Sequence, residues 1–197
     1  MWSEIDAVAR MRSGYPGDMS ETALLAVDMF NTYRHPDADR LADNVAEIVK
    51  PLSGLISRAK NCDDVDLIYV NDNHGDFAAG PGAIVQAALE GARPDLVRPL
   101  VPKGGFRFIT KVRHSIFYAS PLEYLLGRLG ARQLILCGQV TEQCVLYSAL
   151  DAYVRHFDVV IPTDAVAPID LELGQSALEM MRRNMRATLR SSTQCLP

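Results

Sequence analysis

Short, almost wholly apolar runs recur along this chain, and stretches with helical spacing separate them. The first run, at residues 23–27, is continuously apolar, as expected of a strand that is covered on both faces. The alternation of such strands with helices is typical of an α/β fold with a mostly parallel sheet. Strands are predicted at residues 23–27, 65–70, 106–110, 133–137 and 158–161, and residues 186–191 are a candidate sixth, edge strand.

Helical spacing of apolar residues marks the segments between these strands. The longest is 41–60, where Pro51 is predicted to kink or split the helix because proline lacks an N–H. Further helices are predicted at residues 83–90, 121–129, 142–155 and 171–184, whereas residues 94–105 are predicted to form a loop with a short extended piece. The pattern contains no linker-like stretch, so we expect a single domain over residues 1–197.

Composition and charge argue against several classes of function. The chain has 197 residues, and 48% of them are hydrophobic, which is enough for a buried core. Its formal net charge of −4 argues against nucleic acid as a partner, and no apolar run approaches the roughly 20 residues of a membrane span. Residues 1–12 are amphipathic and charged, unlike a signal peptide. We therefore expect a cytoplasmic protein without membrane or nucleic-acid partners.

Cys144 differs in its setting from the other cysteines of the chain. None of the four cysteines has CxxC spacing, so neither a zinc site nor a disulfide framework is predicted. Cys144 follows an apolar run that ends at Gly138, and it lies where a helical pattern begins. Unpaired N–H groups and the helix dipole favour a thiolate at such a position, and the thiolate is the nucleophile. This placement predicts covalent catalysis if a base and a cation lie nearby.

Asp28 and Lys111 are the candidates for that base and cation. Each follows a predicted strand directly, as Cys144 does after a short turn. Because the carboxyl ends of parallel strands form the ligand crevice of an open α/β sheet, we expect the three side chains to converge. Asp28 would accept the thiol proton, and Lys111 would orient Asp28 and stabilise the thiolate. Backbone N–H groups of the turn before Cys144 would stabilise an oxyanion.

Four short motifs stand out along the chain. They are Val-Asp-Met at 27–29, Lys-Val-Arg-His-Ser-Ile-Phe at 111–117, Gly-Gln-Val-Thr-Glu-Gln-Cys-Val at 138–145 and Asp-Ala-Val-Ala at 164–167. These motifs resemble those of the isochorismatase-like cysteine hydrolases, and they occur in the family's order across residues 20–192. The resemblance implies a three-layer α/β/α, Rossmann-like fold with a six-stranded, mostly parallel sheet. It also implies homo-oligomers, either dimers or tetramers.

The resemblance implies a catalytic triad of Asp28, Lys111 and Cys144. By position it also implies a cis peptide at Gln139–Val140 and an oxyanion hole formed by the N–H groups of Val140 and Cys144. Isochorismatases proper lack the cysteine, so Cys144 indicates the amidase branch, which includes nicotinamidases and carbamoyl-type amidohydrolases. The implied reaction is hydrolysis of a small amide through a thioester. Ester or imide hydrolysis by the same triad, and a silent member that only binds small molecules, are the alternatives.

A metal site is considered because nicotinamidase-type members hold zinc or iron with an Asp-x-His pair and further histidines. Asp72 and His74 match that pair, but the next histidine in sequence is His114. Zinc usually takes more ligands than these, so we predict no metal and no cofactor. This departure argues against nicotinamide as the substrate.

Side chains that flank the triad motifs are predicted to contact the substrate. His114 also lies close enough in sequence to Lys111 for an alternative Cys–His pair, whereas His156 lies more than three helical turns beyond Cys144. The predicted substrate-binding residues are Phe30, Tyr33, Asn73, His74, Phe117 and Tyr118.

Overall fold

The computed structural model describes residues 21–102 and 104–196, and these form a parallel β-sheet between two layers of helices. The strand order across the sheet is β3-β2-β1-β4-β5-β7, and the short strand β6 pairs with β4. Every strand pair is parallel. The strands of the described residues are β1 (Thr22–Val27), β2 (Val65–Asp72), β3 (Arg107–Lys111), β4 (Gln133–Gln139), β5 (Asp158–Pro162), β6 (Val166–Ala167) and β7 (Thr188–Arg190).

Helices connect the strands, as parallel pairing requires. Two 3₁₀ turns, Arg98–Leu100 and Ser192–Gln194, and a π-helical turn, Thr141–Val145, complete the described elements. The α-helices of the described residues are α1 (Ala38–Lys60), α2 (Pro81–Leu89), α3 (Pro94–Val97), α4 (Leu122–Leu129), α5 (Leu146–Val154) and α6 (Leu171–Asn184). Within the described residues, no helix is both long and apolar enough to cross a bilayer.

Side chains of the central strands alternate between two hydrophobic cores, one on each face of the sheet. Leu24 and Ala26 of β1 belong to the core beneath α1, α2 and α3. Leu25 and Val27 belong to the core beneath α4, α5 and α6. Because both faces of β1 are covered, its sequence is continuously apolar rather than alternating. The predicted fold class, a three-layer α/β/α architecture with a mostly parallel sheet, is confirmed.

The chain reverses its direction of winding between the neighbouring strands β1 and β4. From β1 it continues through β2 to β3 on one side, and from β4 it continues to β5 and β7 on the other. Ligands of open α/β sheets bind outside the carboxyl ends of the strands at such a switch point. The register places Val27 beside Gly138 at this point.

Several predicted elements differ in detail from those observed. Helix α1 runs through Pro51 without a break. Proline removes one helix hydrogen bond, but the carbonyl that loses its partner belongs to Glu47, which is exposed to solvent. Residues 94–105 contain α3 and a 3₁₀ turn rather than an extended piece. The predicted helix over 142–155 is split between the π-helical turn and α5.

Two features at the carboxyl edge of the sheet are absent from the predicted pattern. Strand β2 continues to Asp72, through polar residues that pair with the end of β3. Strand β6 has two residues, too few for any periodicity, and makes the count seven instead of six. Helix α6 has the predicted bounds, and β7 is the predicted edge strand. The amphipathic stretch predicted at residues 1–12 lies outside the described residues.

Candidate active site

Asp28 begins the candidate site, immediately after β1. Its N–H donates to the carbonyl of Val70 at 2.8 Å, and this bond holds the chain beside β2. Its φ of 52° lies in the left-handed region, which costs energy for a residue with a side chain. The carboxylate is 8% exposed. The neighbouring strand must approach closely here, because a Cβ at Gly138 would lie 2.1 Å from the carbonyl oxygen of Val27.

Lys111 is the last residue of β3, and its side chain crosses the end of β2 toward β1. The ammonium group is 1% exposed. It lies 2.8 Å from Asp28 Oδ2 and 3.3 Å from Asp72 Oδ2, and it donates to the carbonyl of Arg113 at 2.9 Å. A buried ammonium needs such partners, since an unpaired one would be very costly. Burial lowers the pKa of Lys111, but the charge of Asp28 and the nearby Cys144 and Asp72 raise it more, so the ammonium stays charged.

Cys144 lies on the π-helical turn that joins β4 to α5. The thiol is 7% exposed, and Lys111 Nζ lies 3.7 Å from its Sγ. Its other close neighbours are Asp28, which hydrogen-bonds the thiol, and His114, whose Nδ1 lies 3.8 Å from Sγ. The structure therefore brings together the carboxylate, ammonium and thiol that the sequence places far apart.

The resting state of Cys144 differs from the expectation. The helix N-terminus predicts a pKa below that of a free thiol, but burial raises the pKa of Cys144, and the negative charge of Asp28 raises it further. The charge of Lys111 and the N–H of Val140 act in the opposite direction without overcoming these effects. These effects together raise the pKa of the Cys144 thiol, and the Asp28 carboxylate is the group that can take its proton.

The backbone of the turn between β4 and Cys144 is fixed by hydrogen bonds to a single carbonyl group. The peptide bond Gln139–Val140 is cis. The N–H groups of Gln143 and Val145 both donate to the Val140 carbonyl at 3.1 Å, which fixes the turn. The N–H of Val140 lies on the same turn and acts to lower the pKa of the Cys144 thiol.

Three polar residues hold the backbone and the carboxylate of the site through hydrogen bonds, and none of them is predicted to do so from the sequence. Gln139 donates through Nε2 to the Asp28 carbonyl at 2.5 Å and accepts from the Tyr33 hydroxyl at 3.3 Å. Asn71 is 1% exposed and bonds both the N–H and the carbonyl of Phe30. The N–H of Asp72 donates to Asp28 Oδ1 at 2.8 Å. The signal available in the sequence is that β2 and β4 end in polar residues, beside the strand that Asp28 follows.

The predicted substrate-binding residues are distributed between the core and the surface. Phe30 is 1% exposed and packs against the rings of Tyr69 and Phe108, so it supports the site from the core instead of lining a pocket. Phe117 is also buried, because it stacks on Phe157 beneath the guanidinium of Arg155.

The other four predicted contact residues range from buried to exposed. The Tyr33 hydroxyl bonds Gln139, and burial raises the pKa of that phenol. Asn73 is buried and uses its Oδ1 to accept from the Gly75 N–H. His74 is exposed with a φ of 51°, and Tyr118 is 58% exposed. Contact with a substrate stays a prediction for all four.

The residues of the Asp-x-His motif do not fit a metal site. Asp72 Oδ1 accepts from the His74 N–H at 2.7 Å, and its Oδ2 faces the Lys111 ammonium. Both carboxylate oxygens are therefore already in contact with donors, one of them a cation. Within residues 21–102 and 104–196, no cluster of His, Cys, Asp and Glu has the grouping that a metal ion requires.

A separate cleft of about 240 Å³ lies behind the catalytic turn, between α1 and α6. Thr141 forms part of its wall, and the Thr141 hydroxyl is buried without a hydrogen-bond partner among the described residues. Asp28, Lys111 and Cys144 do not line this cleft, so it is distinct from the site of the triad.

Comparison with known proteins assigns the chain to a family. The Isochorismatase domain model matches residues 22–194. The chain belongs to the isochorismatase family. The family protein YaaI of Bacillus subtilis (strain 168) is 31% identical over 177 residues, which cover 90% of this chain and 97% of that protein. The resemblance stated from the motifs is confirmed.

Relatives with named activities include amidohydrolases. Maleamate amidohydrolase of Pseudomonas putida is 26% identical over 152 residues, covering 73% of this chain and 71% of that protein. The solved structure of N-carbamoylsarcosine amidase from Thermoplasma acidophilum shares the fold, with a TM-score of 0.70 at 24% identity over 90% of this chain and 99% of that one. The expectation that this isochorismatase-family chain is a hydrolase is confirmed at the level of the family.

Proposed function

We propose that this isochorismatase-family protein hydrolyses an amide-type C–N bond of a small molecule through a thioester on Cys144. One observation carries the proposal. Lys111 Nζ lies 2.8 Å from Asp28 Oδ2 and 3.7 Å from Cys144 Sγ, so a base, a cation and a nucleophile meet at the switch point of the sheet. The named amidohydrolase relative supports an amide as the substrate class.

The first half-reaction forms the acyl-enzyme. Asp28 takes the thiol proton while Cys144 Sγ attacks the substrate carbonyl carbon, so the negative charge passes to the carbonyl oxygen. The N–H groups of Val140 and Cys144 stabilise that oxyanion. Collapse of the tetrahedral intermediate breaks the C–N bond, and the amine leaves with the proton that Asp28 received. Lys111 stays charged throughout and keeps the Asp28 carboxylate in place.

The second half-reaction releases the acid. A water attacks the thioester carbonyl, the C–S bond breaks, and the sulfur recovers a proton. This chemistry needs a base for the water and an acid for the sulfur, and within the triad only Asp28 offers either. Neither half-reaction requires a metal, which agrees with the engagement of both Asp72 oxygens by other donors.

A raised pKa at Cys144 is compatible with this mechanism. A permanent thiolate beside Asp28 would place two negative charges in contact within a buried site. Proton transfer during the attack avoids that state, because the sulfur charge moves onto the substrate as Asp28 becomes neutral. The enzyme therefore activates its thiol when the substrate arrives rather than in the resting state.

A panel of small amides, N-carbamoyl compounds, imides and esters tests the proposal, with release of the amine or alcohol as the readout. We expect turnover of at least one amide-type compound, and we expect Cys144→Ser and Asp28→Asn to lower kcat by at least about 10²-fold. Cys62→Ser is the matched control, since Cys62 is half-buried and lies outside the site. Turnover that survives Cys144→Ser would overturn the proposed nucleophile, and turnover of esters alone would overturn the C–N assignment.

A further inference from the structure

His114 and His156 are the two histidines considered from the sequence as possible partners of Cys144, and the structure places His114 beside the sulfur. It lies in the segment after β3, and its side chain is exposed to solvent. Its Nδ1 lies 3.8 Å from Cys144 Sγ. The ring packs against the ring of Tyr147 on α5, with centroids 5.4 Å apart and planes at 47°. The imidazole is thus held at the sulfur without being buried.

Cys144 Sγ therefore has two acid–base neighbours in unlike surroundings. Asp28 is 8% exposed, and its two oxygens already accept from the Asp72 N–H and the Lys111 ammonium. Both oxygens of this buried carboxylate therefore already have donors within the protein. His114 is open to solvent, from which the hydrolytic water must come.

We propose that His114 is a further catalytic residue, one that serves the second half-reaction; this inference rests on the proposed function. Its imidazole takes a proton from the water as the water oxygen bonds to the thioester carbonyl carbon. The C–S bond then breaks, and the imidazolium returns that proton to the Cys144 sulfur 3.8 Å away. The sum is thioester plus water giving carboxylic acid plus thiol, with no other reactant.

Asp28 and His114 are assigned to different half-reactions because their surroundings differ. The groups in contact with the His114 ring are the thiol of Cys144 and the phenol ring of Tyr147, and the cations Lys111 and Arg113 belong to its own segment. An imidazole can accept a proton on one ring nitrogen and return it, so one ring can act first as a base and then as an acid. Asp28 then needs to act only in acylation.

The test uses p-nitrophenyl acetate, which acylates thiols and reports each half-reaction separately. The burst of nitrophenol measures acetylation of Cys144, and the later steady rate measures deacetylation. The variants are His114→Asn, which keeps hydrogen bonding, and His114→Tyr, which keeps a ring against Tyr147. The matched control is His156→Asn, because His156 is exposed, lies at the end of α5 and has a φ of 65° that asparagine tolerates.

We expect both His114 variants to slow the steady rate by about 10²-fold while the burst rate changes less than about twofold. Acetyl-Cys144 should accumulate in these variants, as mass spectrometry of the quenched enzyme would show. The His156 control should match the wild type.

Other results separate this inference from the function on which it rests. Unchanged deacetylation in both His114 variants, with Cys144 acetylated normally, would overturn the role of His114 and leave the triad intact. A slowed burst with an unchanged steady rate would assign His114 to acylation and likewise overturn the inference. Absence of acetyl-Cys144 in the wild type and in both His114 variants would overturn both the inference and the proposed thioester.

Discussion

Cys137 and Cys144 are both buried, and a comparison of their surroundings shows what distinguishes a candidate nucleophile from a packing residue. Cys137 is fully buried inside β4, where its Sγ donates to the carbonyl of Leu25 at 3.3 Å. Cys144 follows β4, where its sulfur meets Lys111 and His114. Burial raises the pKa of both thiols. Resting acidity therefore does not distinguish them, whereas the presence of a proton acceptor and a cation does.

The comparison extends to the two regions around these thiols. The middle of the sheet is apolar on both faces, and its side chains belong to the two hydrophobic cores. The carboxyl edge instead holds buried charge and backbone strain, including the positive φ of Asp28. Such costs persist only where the surrounding structure enforces them, as the bonds to Val70 and Asp72 do here.

The largest expected effect comes from replacing each of the two cysteines by alanine and comparing the variants. Cys144→Ala should abolish turnover of any cleaved amide, by about 10⁴-fold or more, because it removes the nucleophile. Cys137→Ala should keep kcat within a few-fold but lower the free energy of unfolding by about 1 kcal/mol, because it leaves a small void. Steady-state kinetics and urea unfolding of both variants would check this. Comparable loss of activity in both would break the distinction.

Lys111→Met should destabilise the fold as well as the chemistry. Removing the ammonium leaves Asp28 and Asp72 facing each other without the cation that both contact, and loss of one partner of a buried pair costs about 3–5 kcal/mol. Urea unfolding measures this cost. The double variant Asp28→Asn with Lys111→Met should recover part of it. A Lys111→Met protein as stable as the wild type would show that the buried pair lacks this importance.

Stability should fall at alkaline pH, in part because of the two thiols. Burial raises the pKa of Cys137 and of Cys144, so the folded protein binds these protons more tightly than the unfolded chain. Their contribution is complete below about pH 8.5, the value of a free thiol, and is lost as the pH rises toward the folded values. Urea unfolding from pH 7 to 10 should decline less steeply in either alanine variant. Slopes that equal the wild-type slope would contradict the raised values.

Asp72→Asn should have the smallest effect. The amide keeps an oxygen for the His74 N–H or for Lys111, and the backbone N–H that bonds Asp28 is unchanged. We expect kcat to fall by less than about 10-fold, with Lys111 still held by Asp28 and the Arg113 carbonyl. A loss as large as that of Cys144→Ala would place Asp72 in the catalytic machinery itself.

The sequence predicts the parts of this structure that depend on local pattern. The apolar runs predict β1 and β4. Asp28 and Cys144 are candidate site residues because they come shortly after these strands. Gly130, a predicted helix stop, ends α4 with a φ of 72°. The family motifs identify the turn with its cis peptide at Gln139–Val140.

Contacts that depend on the register between strands cannot be predicted from local sequence pattern. Asp72 pairs with Lys111 at the end of β2 and β3, a juxtaposition that exists only once the two strands are aligned. Gln139 supports Asp28 through a bond that spans the switch point. The acidity of Cys144 is also a tertiary property, because burial and Asp28 outweigh the local effect of the helix N-terminus.

The most direct test of this account is the pH dependence of iodoacetamide alkylation of Cys144, resolved by peptide mass spectrometry, in the wild type and in Asp28→Asn. The account predicts a wild-type inflection above pH ~8.5, because burial and Asp28 raise the thiol pKa. It also predicts that Asp28→Asn moves this inflection downward while abolishing turnover, since the charge that hinders the thiolate is also the base that catalysis needs. A wild-type inflection well below pH 8.5, or an inflection that Asp28→Asn leaves in place or moves upward, would contradict the claim that burial and Asp28 raise the pKa of Cys144.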